Sequence, residues 1–289
     1  MSRESLRSLA ARSAFAGRAA IVTGGAGAFG SATIRVLRYL GADAIGIDRI
    51  SAPGVLTCDV TDDDQVRAAV AAAIERLGRL DTLVHYAGVG PVVDVGRPAE
   101  AEVREALEVN LLGTWRVTAA ALPALLAARG RVIVTASLLA GVTMPFSAAY
   151  TVSKRALTAY ADVLRIEYGT HLGVTTVYPG YVRTAIHDRS RAAGVTLDRL
   201  APAEDVRDTV LTVVRAAAAR SAPRDVASTR TGTAAFRLAR HAPGLLDRAV
   251  AARLPRLVRT QPFDGAELAA GLRERLRAGG AADPGAANA

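Results

Sequence analysis

A chain of 289 residues that is 51% hydrophobic and 22% charged has enough apolar surface for a large buried core, which excludes a disordered polymer. Aromatic residues make up only 4%, too few for a nucleic-acid stacking surface, and the single cysteine, Cys58, excludes an internal disulfide framework. The net charge of +9 is uneven, because residues 221–260 carry eight Arg against Asp225 and Asp247.

The opening residues lack the apolar stretch of a secretory signal. The longest uncharged run, 132–153, is interrupted by Gly, Pro and several Ser and Thr, unlike a membrane span. A cytoplasmic protein is expected. In chain order, residues 19–23 (AAIVT) form a short apolar run ending in glycines, and a helical pattern follows over 31–40. Residues 44–47 and 55–58 read as two more strands. Residues 62–77 read as a helix whose first turn is acidic, as the helix dipole favours. A fourth strand opens at 83–84, and 99–128 is helical with a break expected at Pro123. A fifth strand covers 131–136, a long helix 148–169, a sixth strand 174–178 and a further helix 202–219. The stretch 185–201 has no clear period and reads as a loop or lid. Strands alternating with helices predict an α/β fold, a doubly wound parallel sheet covered on both faces.

The first turn carries chemistry. Gly25, Gly27 and Gly30 form a G-x-G-x-x-G pattern that follows a strand and opens a helix. Glycines there permit a tight turn and a close approach to a pyrophosphate, while the helix N-terminus offers N–H groups to the phosphates. Asp48, 18 residues after Gly30, ends the second strand, where a carboxylate accepts hydrogen bonds from a ribose diol. It would repel a 2′-phosphate, so NAD is favoured over NADP. Arg49 beside it argues the other way, but no basic residue occupies the glycine turn.

Tyr150 and Lys154 stand four residues apart in a helix, on one face. Lys154 is the only lysine, so 35 of the 36 basic residues are arginine. A cation within about 4–6 Å of a phenol favours its ionised form and suits it to proton transfer. Ser137 follows the fifth strand, at the strand end where such sheets bind ligands, and is placed to hydrogen-bond a substrate oxygen. Asn110, one of two asparagines, is a poor helix former inside a helical segment, which suggests a buried amide holding a water or a backbone group.

Together these features resemble the short-chain dehydrogenase/reductase family over roughly residues 17–220, with its Rossmann fold. The resemblance rests on TGGAGAFG at 23–30, CDV at 58–60, AG at 87–88, Asn110, Ser137, Tyr150 with Lys154, and PGYVRT at 179–184. It implies that Tyr150 is the general acid/base, Ser137 orients the substrate carbonyl, Lys154 binds the nicotinamide ribose, and Asn110 holds a proton-relay water. It also implies a cofactor site made of Gly24, Gly25, Gly27, Phe29, Gly30, Asp48, Arg49, Ala87, Gly88, Tyr150 and Lys154. Asp59 and Val60 would flank the adenine, and Pro179, Gly180, Val182 and Thr184 would line the nicotinamide. No metal is implied. Two positions depart from the pattern: Ala28 stands where the family usually has Gly, and Tyr86 where it has an Asn that braces the fourth strand.

The expected organisation is an extension over 1–16, a dinucleotide-binding and catalytic domain over 17–220, a basic helical extension over 221–276 and a disordered tail over 277–289. The nearly non-polar run 138–146, under Tyr181 and the 185–201 lid, suggests a small lipophilic substrate. In the extension, Leu246, Val250, Leu254 and Leu257 recur at helical spacing beside arginines, with Pro255 interrupting them. That segment would rest on a membrane surface or pack on the domain as a lid or subunit contact. No nucleic-acid partner is expected, and a homo-oligomer is. The rival readings are a cofactor-binding regulator or scaffold without turnover, and a dehydratase or epimerase.

Overall fold

The computed structural model describes residues 14–195, 202–259 and 266–279. Seven parallel strands lie in the order β3-β2-β1-β4-β5-β6-β7. They are β1 Ala19–Thr23, β2 Asp43–Asp48, β3 Val55–Thr57, β4 Thr82–His85, β5 Arg131–Thr135, β6 Gly173–Tyr178 and β7 Asp225–Ala227. The central strands read as near-continuous apolar runs because helices cover both faces. On one face, Leu83, Val132 and Val134 pack against α2 (Asp63–Leu77), α4 (Thr114–Ala127) and α5 (Ala148–Tyr168) through Val70, Leu125 and Leu157. On the other, Val22, Val84 and Ile133 meet α1 (Ala28–Tyr39) and α7 (Val206–Ala218) through Leu37 and Val214. Each such side chain contributes about 1.5–3 kcal/mol by leaving water.

The strand order reverses between β1 and β4, which opens a crevice at their C-terminal ends. The glycine turn, the segment after β4, Ser137 after β5 and the 179–184 loop after β6 all follow strands at this edge.

Several expectations are corrected. The helical run 99–128 does not break at Pro123. It divides into α3 (Ala101–Leu107), a π-helical turn at Glu108–Gly113, and α4, which continues through Pro123. Pro123 and Ala119 are both exposed, so water can satisfy the carbonyl that Pro123 leaves without an N–H. Pro255 likewise lies within a helix, α9 (Pro243–Arg259), rather than ending one. The sheet extends past residue 220, since β7 pairs with β6 through Val177 and Val226. Phe15, assigned to an extension, is 1% exposed and packs with Leu37 and Leu40 in the core. The 185–201 stretch contains a 3₁₀ turn at Ala185–His187 and a short helix, α6 (Asp188–Ala192), while 196–201 lie outside the described residues. Of the expected tail, 277–279 end α10 (Ala270–Gly279), and 280–289 lie outside the described residues.

Candidate active site

The glycine turn is built for close approach. Gly24 has φ +65°, and a Cβ there would meet the Ala87 nitrogen at 2.8 Å. A Cβ on Gly25 would lie 2.7 Å from Gly46 Cα on β2, and one on Gly30 would run into the Gly24 carbonyl. Gly27, at the start of α1, supplies no capping side chain, and the first turn has no acidic residue. Its amide groups and positive dipole end therefore suit an anion. Asp48 accepts from the Ala26 N–H at 3.0 Å and from the Ile50 N–H at 3.0 Å, which places its carboxylate beside the turn. Arg49 is exposed. The turn after β3 is held to β2 by a bond from Cys58 N–H to the Asp48 carbonyl at 2.9 Å. Asp59 accepts from the Thr61 N–H and hydroxyl at 2.9 and 2.8 Å, and Val60 is buried against Gly113. These features fit a dinucleotide: bare glycines at the turn, free donors at the helix start and a carboxylate at the end of β2.

Tyr86, where the family pattern has Asn, makes its own brace. Its hydroxyl and that of Thr33 in α1 are 2.9 Å apart, and its ring lies 5.5 Å from that of Phe29. The end of β4 is thereby tied to the helix that follows the glycine turn. Thr23 adds a second tie, its hydroxyl accepting from the Tyr86 and Ala87 N–H groups at 3.2 Å each.

Lys154 is 4% exposed and donates to the Thr135 carbonyl at 2.9 Å, and its Nζ lies 5.6 Å from the centre of the Tyr150 ring. Tyr150 and Lys154 thus share one side of α5. Burial lowers Lys154 to about 8. Burial pushes Tyr150 up to about 12, opposed by a hydrogen bond with Ser137. The expectation that Lys154 lowers the phenol is therefore not met. Desolvation dominates, and the ammonium is directed to Thr135. Ser137 is 7% exposed, and its Oγ also accepts from the Leu139 N–H at 3.1 Å.

Asn110 lies in the π turn and is fully buried. Its Oδ1 accepts from the Val89 N–H at 2.8 Å, and its Nδ2 donates to the Val89 carbonyl at 2.9 Å and to Ser153 Oγ at 2.8 Å. Of the two expected uses of this amide, the backbone clasp is the one seen, with Val89. Gly88 passes over the pair, since a Cβ there would lie 3.1 Å from Asn110 Oδ1 and 3.5 Å from Lys154 Nζ. Gly90 faces Tyr150 and Ile186, which bound the space beside the phenol.

The 179–184 loop is fixed at both ends. The Pro179 carbonyl accepts from the Leu138 N–H at 2.9 Å, Val182 is buried, and Thr184 starts the Ala185–His187 turn. Sequence reasoning missed Glu204, whose carboxylate accepts the Gly180 N–H at 3.0 Å. Its signal was faint, an acidic pair before a helix in which only Asp205 is the cap. The 138–146 run is used partly on the protein itself. Leu138 and Ala140 pack with Tyr178 and with Phe236 of α8 (Arg230–His241), while Phe146 packs with Val195, Leu254 and Ala269. The C-terminal helices thus close the far side of the site. A cavity of about 280 Å³ beside the start of α5 is lined by Val92, Val95, Ala149 and Val152, with Asp94 and Glu102 at its wall.

Comparison with known proteins agrees with this geometry. A family model described as short chain dehydrogenase matches residues 18–194. An L-fucose dehydrogenase of Bos taurus is 34% identical over 194 residues, covering 62% of this chain and 71% of that protein. Momilactone A synthase of Oryza sativa subsp. japonica is 34% identical over 187 residues, covering 59% and 68%. A short chain dehydrogenase from Burkholderia cenocepacia, solved in complex with NADP, superposes with a TM-score of 0.70 at 25% identity, covering 81% of this chain and 98% of that one.

Proposed function

This chain belongs to the short-chain dehydrogenase/reductase family of oxidoreductases, and we propose that it moves a hydride between a nicotinamide cofactor and a secondary alcohol or ketone, with Tyr150 as general acid/base. The observation that carries this reading is the Tyr150 phenol, hydrogen-bonded to Ser137 and beside the chain's only lysine at the edge of the dinucleotide crevice. When bound, the nicotinamide supplies the hydride in reduction and accepts it in oxidation.

The chain's own residues do the rest. Ser137 offers its hydroxyl to the substrate oxygen and polarises it. In ketone reduction Tyr150, a phenol that is protonated at neutral pH and that burial holds further in that form, gives its proton to the developing alkoxide. In alcohol oxidation the phenol must first give its proton to solvent, a step that its burial opposes and its hydrogen bond with Ser137 assists. Gly88 brings the backbone over Asn110 and Lys154, so the Asn110–Val89 clasp fixes the wall against which the cofactor's ribose would lie.

Asp48 beside the glycine turn supports NAD over NADP, because its carboxylate would repel a 2′-phosphate. A lipophilic substrate is supported by the half-buried Leu139, Val142 and Met144 and by the apolar cluster around Phe146. A polyol is the second reading, favoured by the L-fucose dehydrogenase relatives and by Asp94 and Glu102 at the neighbouring cavity. The exposed Val152, Val163 and Ile166 of α5, with Trp115 of α4, support a contact with a second copy of the chain. The outward arginines of α8 and α9, flanking exposed Leu238 and Leu245, support peripheral contact with an anionic bilayer from the cytoplasmic side.

A panel of lipophilic secondary alcohols, ketones and sugars, followed by reduced-nicotinamide absorbance with NAD and NADP in parallel, tests the reading. Turnover of a lipophilic alcohol or ketone, faster with NAD, is expected. Turnover of sugars alone would shift the assignment to the polyol. Binding of cofactor with no turnover of any substrate would favour a regulator or scaffold. Conversion of substrate with no net change in reduced nicotinamide would favour an epimerase or dehydratase.

A further inference from the structure

Glu204 gathers three donors from two separate segments. Its Oε2 accepts the Gly180 backbone N–H at 3.0 Å and the Ser228 hydroxyl, and its Oε1 accepts the Thr229 hydroxyl at 2.7 Å. Its own N–H donates to the Tyr181 carbonyl at 2.7 Å, and its backbone pairs with Val182 in a parallel bridge. The helix-starting duty belongs to the next residue, because Asp205 caps α7 by accepting from the Arg207 N–H at 2.8 Å. The Glu204 side chain is therefore free to serve the loop. Ser228 and Thr229 directly follow β7, and Thr229 also caps α8 by accepting from the Gly232 N–H at 3.0 Å. One carboxylate thus joins the 179–182 loop to the start of the C-terminal helices. A Cβ on Gly180 would lie 2.5 Å from that carboxylate, so a larger residue there would push the Glu204 side chain away.

We propose that Glu204 is a positioning residue for the nicotinamide half of the cofactor, holding the Gly180 loop at its set distance from Tyr150 by anchoring it to Ser228 and Thr229. This rests on the dinucleotide reading of the crevice. A hydrogen bond to an ionised acceptor is about twice as strong as a neutral one, and misplacing a binding element by about 1 Å is enough to weaken it substantially. On that reading the adenosine half would be held by the turns after β1, β2 and β3, none of which Glu204 hydrogen-bonds. Its loss should therefore act on one end of the dinucleotide only. The C-terminal segment thereby becomes part of the cofactor site.

The experiment is calorimetric titration of the full-length chain with NADH and, separately, with ADP as a probe of the adenosine half alone. Glu204→Ala is expected to raise the NADH Kd about tenfold while the ADP Kd stays within about twofold. Glu204→Gln is expected to restore NADH binding to within about threefold of wild type. Its carbonyl can accept from Gly180, and its amide can donate to the Thr229 hydroxyl, which is able to turn. Ser228→Ala removes a single donor, keeps the carboxylate, and should weaken NADH binding about two- to threefold, which covers the case in which the alanine variant at 204 does not fold. NADH affinity unchanged in all three variants, or NADH and ADP weakened alike, overturns the proposal. A wild-type chain that binds neither NADH nor ADP overturns the dinucleotide reading itself and the proposal with it.

Discussion

At the scale of single residues, Asn110 and Lys154, members of residue types rare in this chain, have geometries that aspartate and arginine do not reproduce. Asn110 both accepts from and donates to Val89, a reciprocal pair that a carboxylate cannot make because it has no donor for the Val89 carbonyl. Asn110→Asp is therefore expected to destabilise the chain at least as much as Asn110→Ala. The alanine variant should cost about 2–3 kcal/mol by leaving buried partners unmet. Urea unfolding midpoints check this, and an aspartate variant as stable as wild type would refute the clasp. Lys154 was legible because it is unique and stands four residues after a tyrosine. The state of the phenol was not legible, because it depends on how deeply the pair is buried, which spacing does not encode. The Tyr86–Thr33 tie was equally hidden, since its members are 53 residues apart.

At the scale of elements, β1 and β5 were readable to within a residue because AAIVT is buried throughout and RVIVT is buried after its first residue, each carrying an apolar run. The three-residue β7 was not, because it is short and only half-buried. The break in the 99–128 helical run was also misplaced, since it falls at the π turn around Asn110. Proline is the usual mark of a helical break, yet Pro123 sits on an exposed face where water tolerates it, and the turn at 108–113 has no comparable residue signal. In α9 the amphipathic pattern was correctly read as helical, and Leu254 faces the cluster around Phe146. That leaves Leu238, Leu245, Arg237 and Arg248 outside. If this face meets an anionic bilayer, the double charge reversal Arg237→Glu with Arg248→Glu should reduce sedimentation with phosphatidylserine vesicles about tenfold or more, since each basic residue contributes about 1 kcal/mol near such a surface. Equal sedimentation of wild type and variant would remove the membrane contact.

At the scale of the whole molecule, buried titratable groups link stability to pH. His85 is 3% exposed, its Nε2 pairs with Thr118 at 3.0 Å, its Nδ1 is buried without a partner, and burial lowers it from 6.5 to about 3. The unfolded chain binds more protons than the folded one between those values, so stability falls as pH drops through that window. Lys154, lowered from 10.5 to about 8, has the same sign, and its contribution makes stability rise with pH between about 8 and 10.5. Each slope is at most about 1.4 kcal/mol per pH unit. Denaturation curves across pH should show His85→Gln flatter than wild type on the acid side and Lys154→Met flatter on the alkaline side. Wild-type slopes retained in both variants would contradict this linkage.

The parallel sheet, its reversal between β1 and β4, and the convergence of the glycine turn, Ser137, Tyr150 and Lys154 at one edge are what the proposed proton transfer by the phenol rests on. Steady-state turnover of Tyr150→Phe, alongside Ser137→Ala and the wild type on the same alcohol or ketone, tests that claim most directly. Loss of general acid/base catalysis typically costs 10²–10⁴-fold. The variant lacking the phenol is expected to fall by about a hundredfold or more in kcat while still binding dinucleotide. A Tyr150→Phe enzyme that turns over at more than a few per cent of the wild-type rate would contradict the account.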